Sequence, residues 1–344
     1  MKKSIICMLT AVVSLLPNMS ANAQTSTLTI RENPALNLKK YIPKGSYSGI
    51  TRISGNTYAV VSDSEELDGF FKFNIELDPQ TGEIRTVENI GYYSAETANR
   101  DNECVAYNPK RNTVYVGGER NNSIVEYTVE GKPTGMRSVN LIPNTRQNLG
   151  MESLCYDAKY GLIWAMTEGT LVTDNDGNYT TDRNGVANML RLTAFDTNFN
   201  KVRELAYKMD APTNLKAASR YTMGVSDIAV LDDGRILVLE REAFVPKVKY
   251  GSWVNCKLYL VDPQNAASVG SNESLKADTQ FMAKTLIWSC NTQMSLNALN
   301  WANYEGMCLG PKLEDGSQTV ILISDSQNRY NGLLKDWMKT LVIK

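Results

Sequence analysis

Residues 102–120 read NECVAYNPKRNTVYVGGER, which is two short β-strand patterns joined by a turn, with Glu103 opening the first strand and Glu119 following the second. The unit returns as MESLCY and MTEG within 151–169, as VSDIAV and VLERE within 225–242, and as YEGMCL and ISDSQ within 304–327. A degenerate first copy, SGITRI and VSDSE within 48–65, keeps only Asp63 of the acid pair. Such recurrence is typical of a propeller or solenoid, because each unit buries its faces only against its neighbours.

Each copy can be divided into short strands, since apolar and polar residues alternate over four to eight positions between Asn-, Pro- and Gly-containing turns. The pattern predicts an all-β fold, a β-propeller with five visible blades. A sixth blade would require a divergent unit inside one of the long intervals, Glu152 to Asp227 or Asp227 to Glu305. The last copy lacks a fourth strand, and we expect the segment LTIREN, residues 28–33, to supply it and close the ring.

The first 23 residues have the pattern of a secretory signal: Lys2 and Lys3, an apolar run from Ile5 to Leu16, and a small-residue cleavage site ending at Ala23. We therefore expect residues 24–344 to form one propeller domain, monomeric, in the periplasm or secreted. Loss of two lysines from the 36 basic residues would leave 34 against 37 acids, a formal charge of −3. This balance gives no reason to expect a nucleic acid or an anionic membrane as partner.

The chain contains no histidine. This absence excludes Ser-His-Asp and Cys-His nucleophile systems and imidazole-rich metal sites. Chemistry would have to use carboxylates, amines, guanidiniums, hydroxyls or oxygen-ligated cations. Among the cysteines, Cys256 and Cys290 flank two segments that can pair as antiparallel strands, so the sequence leaves open whether they form a disulfide.

The repeated acids are the candidate site. In a propeller the first strand of each blade lines the channel and the second runs back beside it, so an acid opening one and an acid ending the other lie about 10 Å apart or less. Such crowding needs compensation by nearby arginines, by a hard cation such as calcium, or by backbone N–H groups of a neighbouring blade. All three alternatives stay open. The candidate metal ligands are Glu103, Glu119, Glu152, Glu168, Asp227, Glu240, Glu305 and Asp325, and the candidate phosphate- or ligand-binding residues are Arg100, Arg120 and Arg241.

Two further segments have alternative interpretations. The insertion LVTDNDGNYTTDRNG, residues 171–185, has the oxygen density of a calcium loop but lacks the glycine of an EF-hand turn, so a solvated loop is the competing interpretation. The segment FVPKVKYGSW, residues 244–253, could cover the channel mouth or pack on the face of its own blade.

The segments MGVSDIAVLDDGRILVLERE, NYEGMCLGP and VILISDSQN, with looser matches around Glu103 and Glu152, resemble the phytase-like family described as having esterase-like activity of phytase. The resemblance extends from about Tyr47 to Ile343. It implies a secreted bacterial propeller that hydrolyses phosphate esters. Calcium-dependent propeller phytases hold cations with carboxylates and grip a phosphorylated inositol with Lys and Arg, and the histidine-free chain is compatible with this chemistry.

Two hypotheses follow from the sequence. In the first, acids at the channel mouth hold calcium and arginines bind a phosphate ester that is hydrolysed. In the second, the same mouth binds a small polar ligand, a glycan or an envelope protein without catalysis. Turnover of phytate or an aryl phosphate with any divalent cation separates them.

Overall fold

The computed structural model describes residues 28–295 and 300–344, and the predicted signal lies outside this range. The described residues form 21 strands in five small antiparallel sheets, with a few single-turn 3₁₀ helices. Within that range no helix has the length and apolar character needed to cross a membrane.

Each of the first four blades contains four strands that pair with their sequence neighbours. Blade one contains β3 (Tyr47–Ser54), β4 (Thr57–Ser62), β5 (Leu67–Leu77) and β6 (Ile84–Ala98). Blade two contains β7 (Asn102–Asn108), β8 (Thr113–Gly118), β9 (Ser123–Thr128) and β10 (Pro133–Arg137). Blade three contains β11 (Met151–Asp157), β12 (Leu162–Thr167), β13 (Met189–Phe195) and β14 (Lys201–Lys208). Blade four contains β15 (Arg220–Val230), β16 (Ile236–Val245), β17 (Trp253–Val261) and β18 (Lys284–Gln293).

Blade five joins the two ends of the described chain. Its strands are β19 (Asn303–Lys312), β20 (Gln318–Asp325), β21 (Trp337–Ile343) and the N-terminal β1 (Ile30–Glu32), with the short β2 (Leu36–Asn37) also paired to β21. Ile30 lies opposite Ile343 in the antiparallel register. The predicted five-blade propeller and its closure by LTIREN are confirmed, and the long intervals of blades three and four contain loops within the described residues. Closure covers the sheet edges that an open ring would expose.

The first strands form a continuous ring around the channel. They are in contact in the order β3, β7, β11, β15, β19 and back to β3. Gly49 shows how closely they approach, because a Cβ at this position would lie 2.8 Å from the carbonyl oxygen of Glu103. The ring therefore brings residues from the same position of all five blades to one axis.

The hydrophobic core is divided among the five gaps between successive blades. Phe70 and Tyr127 are in contact between blades one and two, Trp164 and Val238 lie in the cluster between blades three and four, and equivalent clusters fill the other gaps. Each blade buries both of its faces against neighbours, which is why no single copy of the repeat is expected to be stable alone.

Candidate functional site

A β-bulge lies at the same position in every first strand. In blade two, Asn102 pairs with Gly118 and Cys104 with Gly117, so Glu103 has no partner residue in the register. The unpaired residues of the five blades are Ser48, Glu103, Glu152, Ser226 and Glu305. A bulge redirects the unpaired side chain and locally ends the regular ladder. Three glutamates are thereby presented at equivalent points around the channel.

A second ring of side chains comes from the second strand of each blade or the residue directly after it. In each case the residue directly follows the second-strand partner of the last pair before the bulge. Its members, in blade order, are Asp63, Glu119, Glu168, Arg241 and Asp325. Four of the five are acids, and blade four alone contributes a base. Blade four also has a serine at the bulge, so its side of the ring carries no carboxylate.

The structure places Asp227 and Glu240 outside these rings, in contrast to the sequence-based alignment. Each lies one residue from the equivalent position, and a shift of one residue in a strand reverses the direction of the side chain. Asp227 accepts hydrogen bonds from the backbone N–H groups of Ile228 at 2.8 Å and Met307 at 2.6 Å, joining blades four and five. Asp227 therefore has the structural role considered for the repeated acids, in which a carboxylate accepts hydrogen bonds from backbone N–H groups of a neighbouring blade.

Glu240 lies between blades three and four. Its carboxylate accepts hydrogen bonds at 2.6 Å from the hydroxyl of Tyr207 and from the ammonium group of Lys284. Burial raises the pKa of Glu240, although Lys284 and Tyr207 act in the opposite direction. These contacts give Glu240 a structural role in the interface between the blades.

All members of the two rings except Ser48 and Ser226 line one cavity of about 680 Å³ at the channel mouth. Seven carboxylates contribute to its lining: Asp63, Glu103, Glu119, Glu152, Glu168, Glu305 and Asp325. Two guanidinium groups also line the cavity, that of the exposed Arg220 and that of Arg241, a residue of which only 5% is exposed. The cavity therefore has an excess of negative groups that the protein itself only partly neutralises.

Arg241 connects three blades. Its guanidinium donates a hydrogen bond to Glu168 of blade three at 2.6 Å, contacts Glu305 of blade five, and donates to Asn303 at 3.1 Å. Burial alone would lower the pKa of Arg241, but the charges of nearby glutamates outweigh this effect and raise it. The guanidinium stays charged and compensates two of the seven acids.

Several of the other carboxylates are stabilised in the protonated form. Burial, reinforced by the nearby Asp325 charge, raises the pKa of Asp63 to about 7. Burial also raises the pKa of Glu103 and Glu152 well above the usual value, with Asp63 contributing at Glu103 and Glu168 at Glu152. The pKa values of Glu119 and Asp325 are raised by burial as well. Part of the cavity lining would therefore bind protons near neutral pH unless a cation compensates the charge.

Arg100 and Arg120 lie away from the cavity lining. The Arg100 guanidinium donates to Asp68 at 2.6 Å and to the Ser123 hydroxyl at 2.8 Å, which joins blades one and two. Arg120 is exposed and donates to the carbonyl oxygen of Asn99 at 3.4 Å. Of the three arginines selected from the sequence, Arg241 is the one that lines the cavity.

Sequence reasoning did not select several polar residues of the cavity lining, among them Arg220, Lys249, Asn303 and Gln327. The ammonium group of Lys249 lies 3.9 Å from the ring centroid of Tyr330 and contacts its hydroxyl. Asn303 lies two residues before Glu305 in the repeat, on the same face of an alternating strand, and this spacing is a signal that could have identified it.

The seven cavity carboxylates supply only oxygen donors, which suit calcium. Within residues 28–295 and 300–344, no group of three or more Cys, Asp or Glu side chains is arranged so that it could hold a metal ion. The donor chemistry therefore fits a hard cation, whereas the observed arrangement would require side chains to move toward it.

The insertion after β12 is anchored by ion pairing. Asp174 is fully buried, accepts two hydrogen bonds from Arg191 at 2.8 Å, and accepts one from the Leu275 N–H at 2.9 Å. Asp176 and Asn178 are exposed, and Asp182 accepts from the Ala218 N–H at 2.9 Å. These contacts favour the solvated-loop interpretation, with one aspartate serving as a structural anchor.

The aromatic segment extends the hairpin of blade four. Phe244 pairs with Trp253 in the register, and their rings stack with centroids 5.6 Å apart. Tyr250 is exposed. Among these ten residues, Val245 and Lys249 line the cavity, while the three aromatic side chains do not. Phe244 and Trp253 therefore pack on their own blade, whereas Tyr250 is exposed to solvent.

Cys256 and Cys290 lie directly opposite each other on β17 and β18, as the strand pairing predicted. Both are free thiols, with Cys256 buried and Cys290 half-buried. Cys256 also pairs with Arg241 of β16, so the two thiols lie in the same row of the sheet as the cavity guanidinium.

Comparisons with solved structures find matches of low sequence identity. An endo-arabinase from Bacteroides thetaiotaomicron has 12% identity over 89% of this chain and 95% of its own, with a TM-score of 0.46. A member of the DUF4221 family from Bacteroides vulgatus has 8% identity over 92% and 99%, with a TM-score of 0.44. Streptogramin B lyase has 13% identity over 92% and 98%, with a TM-score of 0.38.

No curated protein matches the sequence. The model of the phytase-like family, described as esterase-like activity of phytase, matches residues 42–327. This range contains all five bulges and every carboxylate of the cavity. The chain therefore belongs to the phytase-like family.

Proposed function

We propose that the cavity binds divalent cations, calcium foremost, together with a small phosphate ester that the protein hydrolyses. The observation that carries the proposal is the set of seven carboxylates around one cavity, with a single buried guanidinium that Glu168 and Glu305 already neutralise. A phosphate ester entering alone would be repelled by this lining. An anionic substrate is therefore compatible with the site only when cations accompany it.

The residues available to the cation are those whose carboxylates form no ion pair with a basic side chain of residues 28–295 or 300–344: Asp63, Glu103, Glu119, Glu152 and Asp325. A bound divalent cation supplies two things, neutralisation of phosphate oxygens and a lowered pKa of bound water. Membership of the phytase-like family supports the same chemistry. The predicted export signal is consistent with action outside the cytoplasm, and we extend the proposal to that location.

The roles of this chain's residues follow from their charges. Asp63, whose pKa is raised to about 7 by burial, can exchange protons near neutral pH, which suits a group that accepts a proton from attacking water. Arg241 lies at the boundary between the acids and blade four, where its guanidinium can orient a phosphate oxygen if Glu305 or Glu168 shifts its contact to a cation.

Metal binding and turnover test the proposal in one series. Protein freed of metals is titrated with calcium, magnesium and manganese by calorimetry, then assayed with phytate and 4-nitrophenyl phosphate. We expect calcium binding and cation-dependent phosphate release. Glu152→Gln should lower the calcium affinity by about tenfold or more, because loss of even a supporting contact costs a metal site roughly that much. Glu88→Gln, on the exposed part of β6, is the matched control and should leave the affinity unchanged.

The competing function is binding of a small polar ligand without catalysis. It is favoured by the absence, within the part of the chain described, of three carboxylates already converging on one point. Calcium binding without turnover of either phosphate ester would support this function. Absence of both binding and turnover in folded protein would remove the hydrolase proposal.

A further inference from the structure

Blade four extends beyond the rim that the other blades share. Strands β4, β8 and β12 end one residue before their ring position, and β20 ends at it, whereas β16 continues past Arg241 to Val245. Four further residues add about 14 Å at ~3.4 Å per residue. The paired strand β15 begins correspondingly early, at Arg220, opposite Val245. One side of the cavity is therefore much taller than the others.

This extension contributes three apolar residues to the cavity lining, and it also contributes the polar residues Ser219, Arg220, Tyr221, Thr222 and Lys249. Arg241, Ala243 and Val245 alternate along β16 and point to the same face of the sheet, and all three line the cavity. Val254 of β17, Trp301 and Leu334 add further apolar residues to the lining on this side. We call the set Ala243, Val245, Val254, Trp301 and Leu334 the apolar wall.

The remaining circumference of the cavity differs in character. Blades one to three contribute Asp63, Glu103, Glu119, Asn148, Glu152 and Glu168, all of them polar or acidic. The apolar wall is therefore confined to the side of blades four and five, where Arg220, Lys249, Glu305 and Asp325 lie beside it, while the lining from blades one to three has no apolar residue. Arg241 lies at the junction, bonded to Glu168 and Glu305 and followed on the same strand face by Ala243.

From this asymmetry we propose that the preferred ligand is an aryl or alkyl phosphate ester whose apolar group lies on the wall while its phosphate faces the acids through a cation. The proposal rests on the proposed function for the phosphate end and on the wall for the apolar end. A fully polar inositol polyphosphate would not cover the apolar wall. Apolar surface that stays in contact with water contributes nothing to the binding affinity. The wall therefore specifies the alcohol part of the ester.

The test compares two non-hydrolysable ligands, phenylphosphonate and methylphosphonate, by calorimetry at saturating calcium. They share the same charged group and differ in the apolar group. We expect phenylphosphonate to bind about tenfold more tightly or better, the order that a hydrophobic pocket achieves for a modest apolar increment. Val245→Ser should reduce this ratio by about tenfold. Val202→Ser, at an exposed valine of β14, is the matched control and should leave the ratio unchanged.

A ratio within about twofold in the unmodified protein, or a ratio that Val245→Ser leaves intact in folded protein, would overturn the proposal. Failure of both phosphonates to bind would overturn it as well. Failure of the hydrolase function gives a different result, since phenylphosphonate would still be preferred while no phosphate ester is turned over. Turnover of 4-nitrophenyl phosphate and glycerol phosphate with equal kcat/KM would contradict the inference and leave the hydrolase function in place.

Discussion

Replacement of Arg241 by methionine tests the electrostatic account of the cavity most directly. The guanidinium is buried and is the direct partner of Glu168 and Glu305. Methionine keeps much of the apolar length but leaves both carboxylates unpaired among five others. Removal of one partner from a buried ion pair typically destabilises a protein by about 3 to 5 kcal/mol. We expect a loss of that order in the free energy of unfolding at pH 7.5 without divalent cations.

The loss should shrink as the pH falls. Burial raises the pKa values of Glu152 and Asp325, and the Arg241 charge opposes this effect at both. Without the guanidinium the folded state should therefore bind protons at these groups over a pH range in which the unfolded chain does not. Stability then decreases as pH rises through that interval and recovers on acidification. Urea unfolding of the Arg241→Met variant at pH 5 and pH 7.5 should show the smaller loss at pH 5. Calcium at pH 7.5 should restore part of the difference.

Two controls separate this effect from general damage. Arg85→Met breaks an exposed ion pair with Asp78 and should change stability by about 1 kcal/mol or less. Addition of Glu305→Gln to Arg241→Met removes one uncompensated charge and should recover part of the loss. If the free energy of unfolding of Arg241→Met alone lies within about 1 kcal/mol of that of the original protein at pH 7.5, the electrostatic account is refuted.

Three further predictions follow. Because burial and the Asp325 charge raise the pKa of Asp63 to about 7, the cation-free protein should lose stability as pH rises from about 4 to 7, and Asp63→Asn should flatten this dependence in thermal melts; an unchanged slope would contradict the assignment. Asp227→Ala leaves two buried N–H groups without their acceptor and should cost about 2 kcal/mol or more in urea unfolding while leaving calcium affinity intact; weakened calcium binding at unchanged stability would reverse this assignment. Oxidised glutathione should convert the opposed Cys256 and Cys290 thiols to a disulfide and be reduced to two molecules of glutathione. The disulfide joins β17 to β18 and should stabilise the fold by roughly 3 to 4 kcal/mol. Mass spectrometry showing two free thiols after oxidation would contradict that prediction.

The propeller could be predicted from the sequence because its signals are local. Alternating residues, Asn- and Gly-containing turns and the recurrence of one acid-bearing unit predict both the strands and the count of five blades. The strand that closes the ring was also foreseeable, since the last copy lacked one and LTIREN matched the requirement. Sequence also identified most carboxylates of the cavity, because Glu103, Glu152 and Glu305 recur at one place in the unit.

The register of blade four depended on the tertiary structure. In VSDIAV and VLERE, candidate residues are adjacent, and the strand pairing selects Ser226 and Arg241 instead of Asp227 and Glu240. A bulge shifts by one residue which side chains point to a given face of the sheet, and the amino-acid pattern does not reveal where the bulge lies. The partners of Arg100 were equally hidden, because Asp68 lies on the neighbouring blade and far away in sequence.

The composition and repeats of this chain therefore determined the architecture and the acidic character of its channel mouth, because both arise from residues close together in sequence. The tertiary structure alone decided which acids face the cavity, which guanidinium compensates them, and that blade four adds an apolar wall. Those properties depend on pairing and packing between strands of different blades, and such contacts are set when the ring closes.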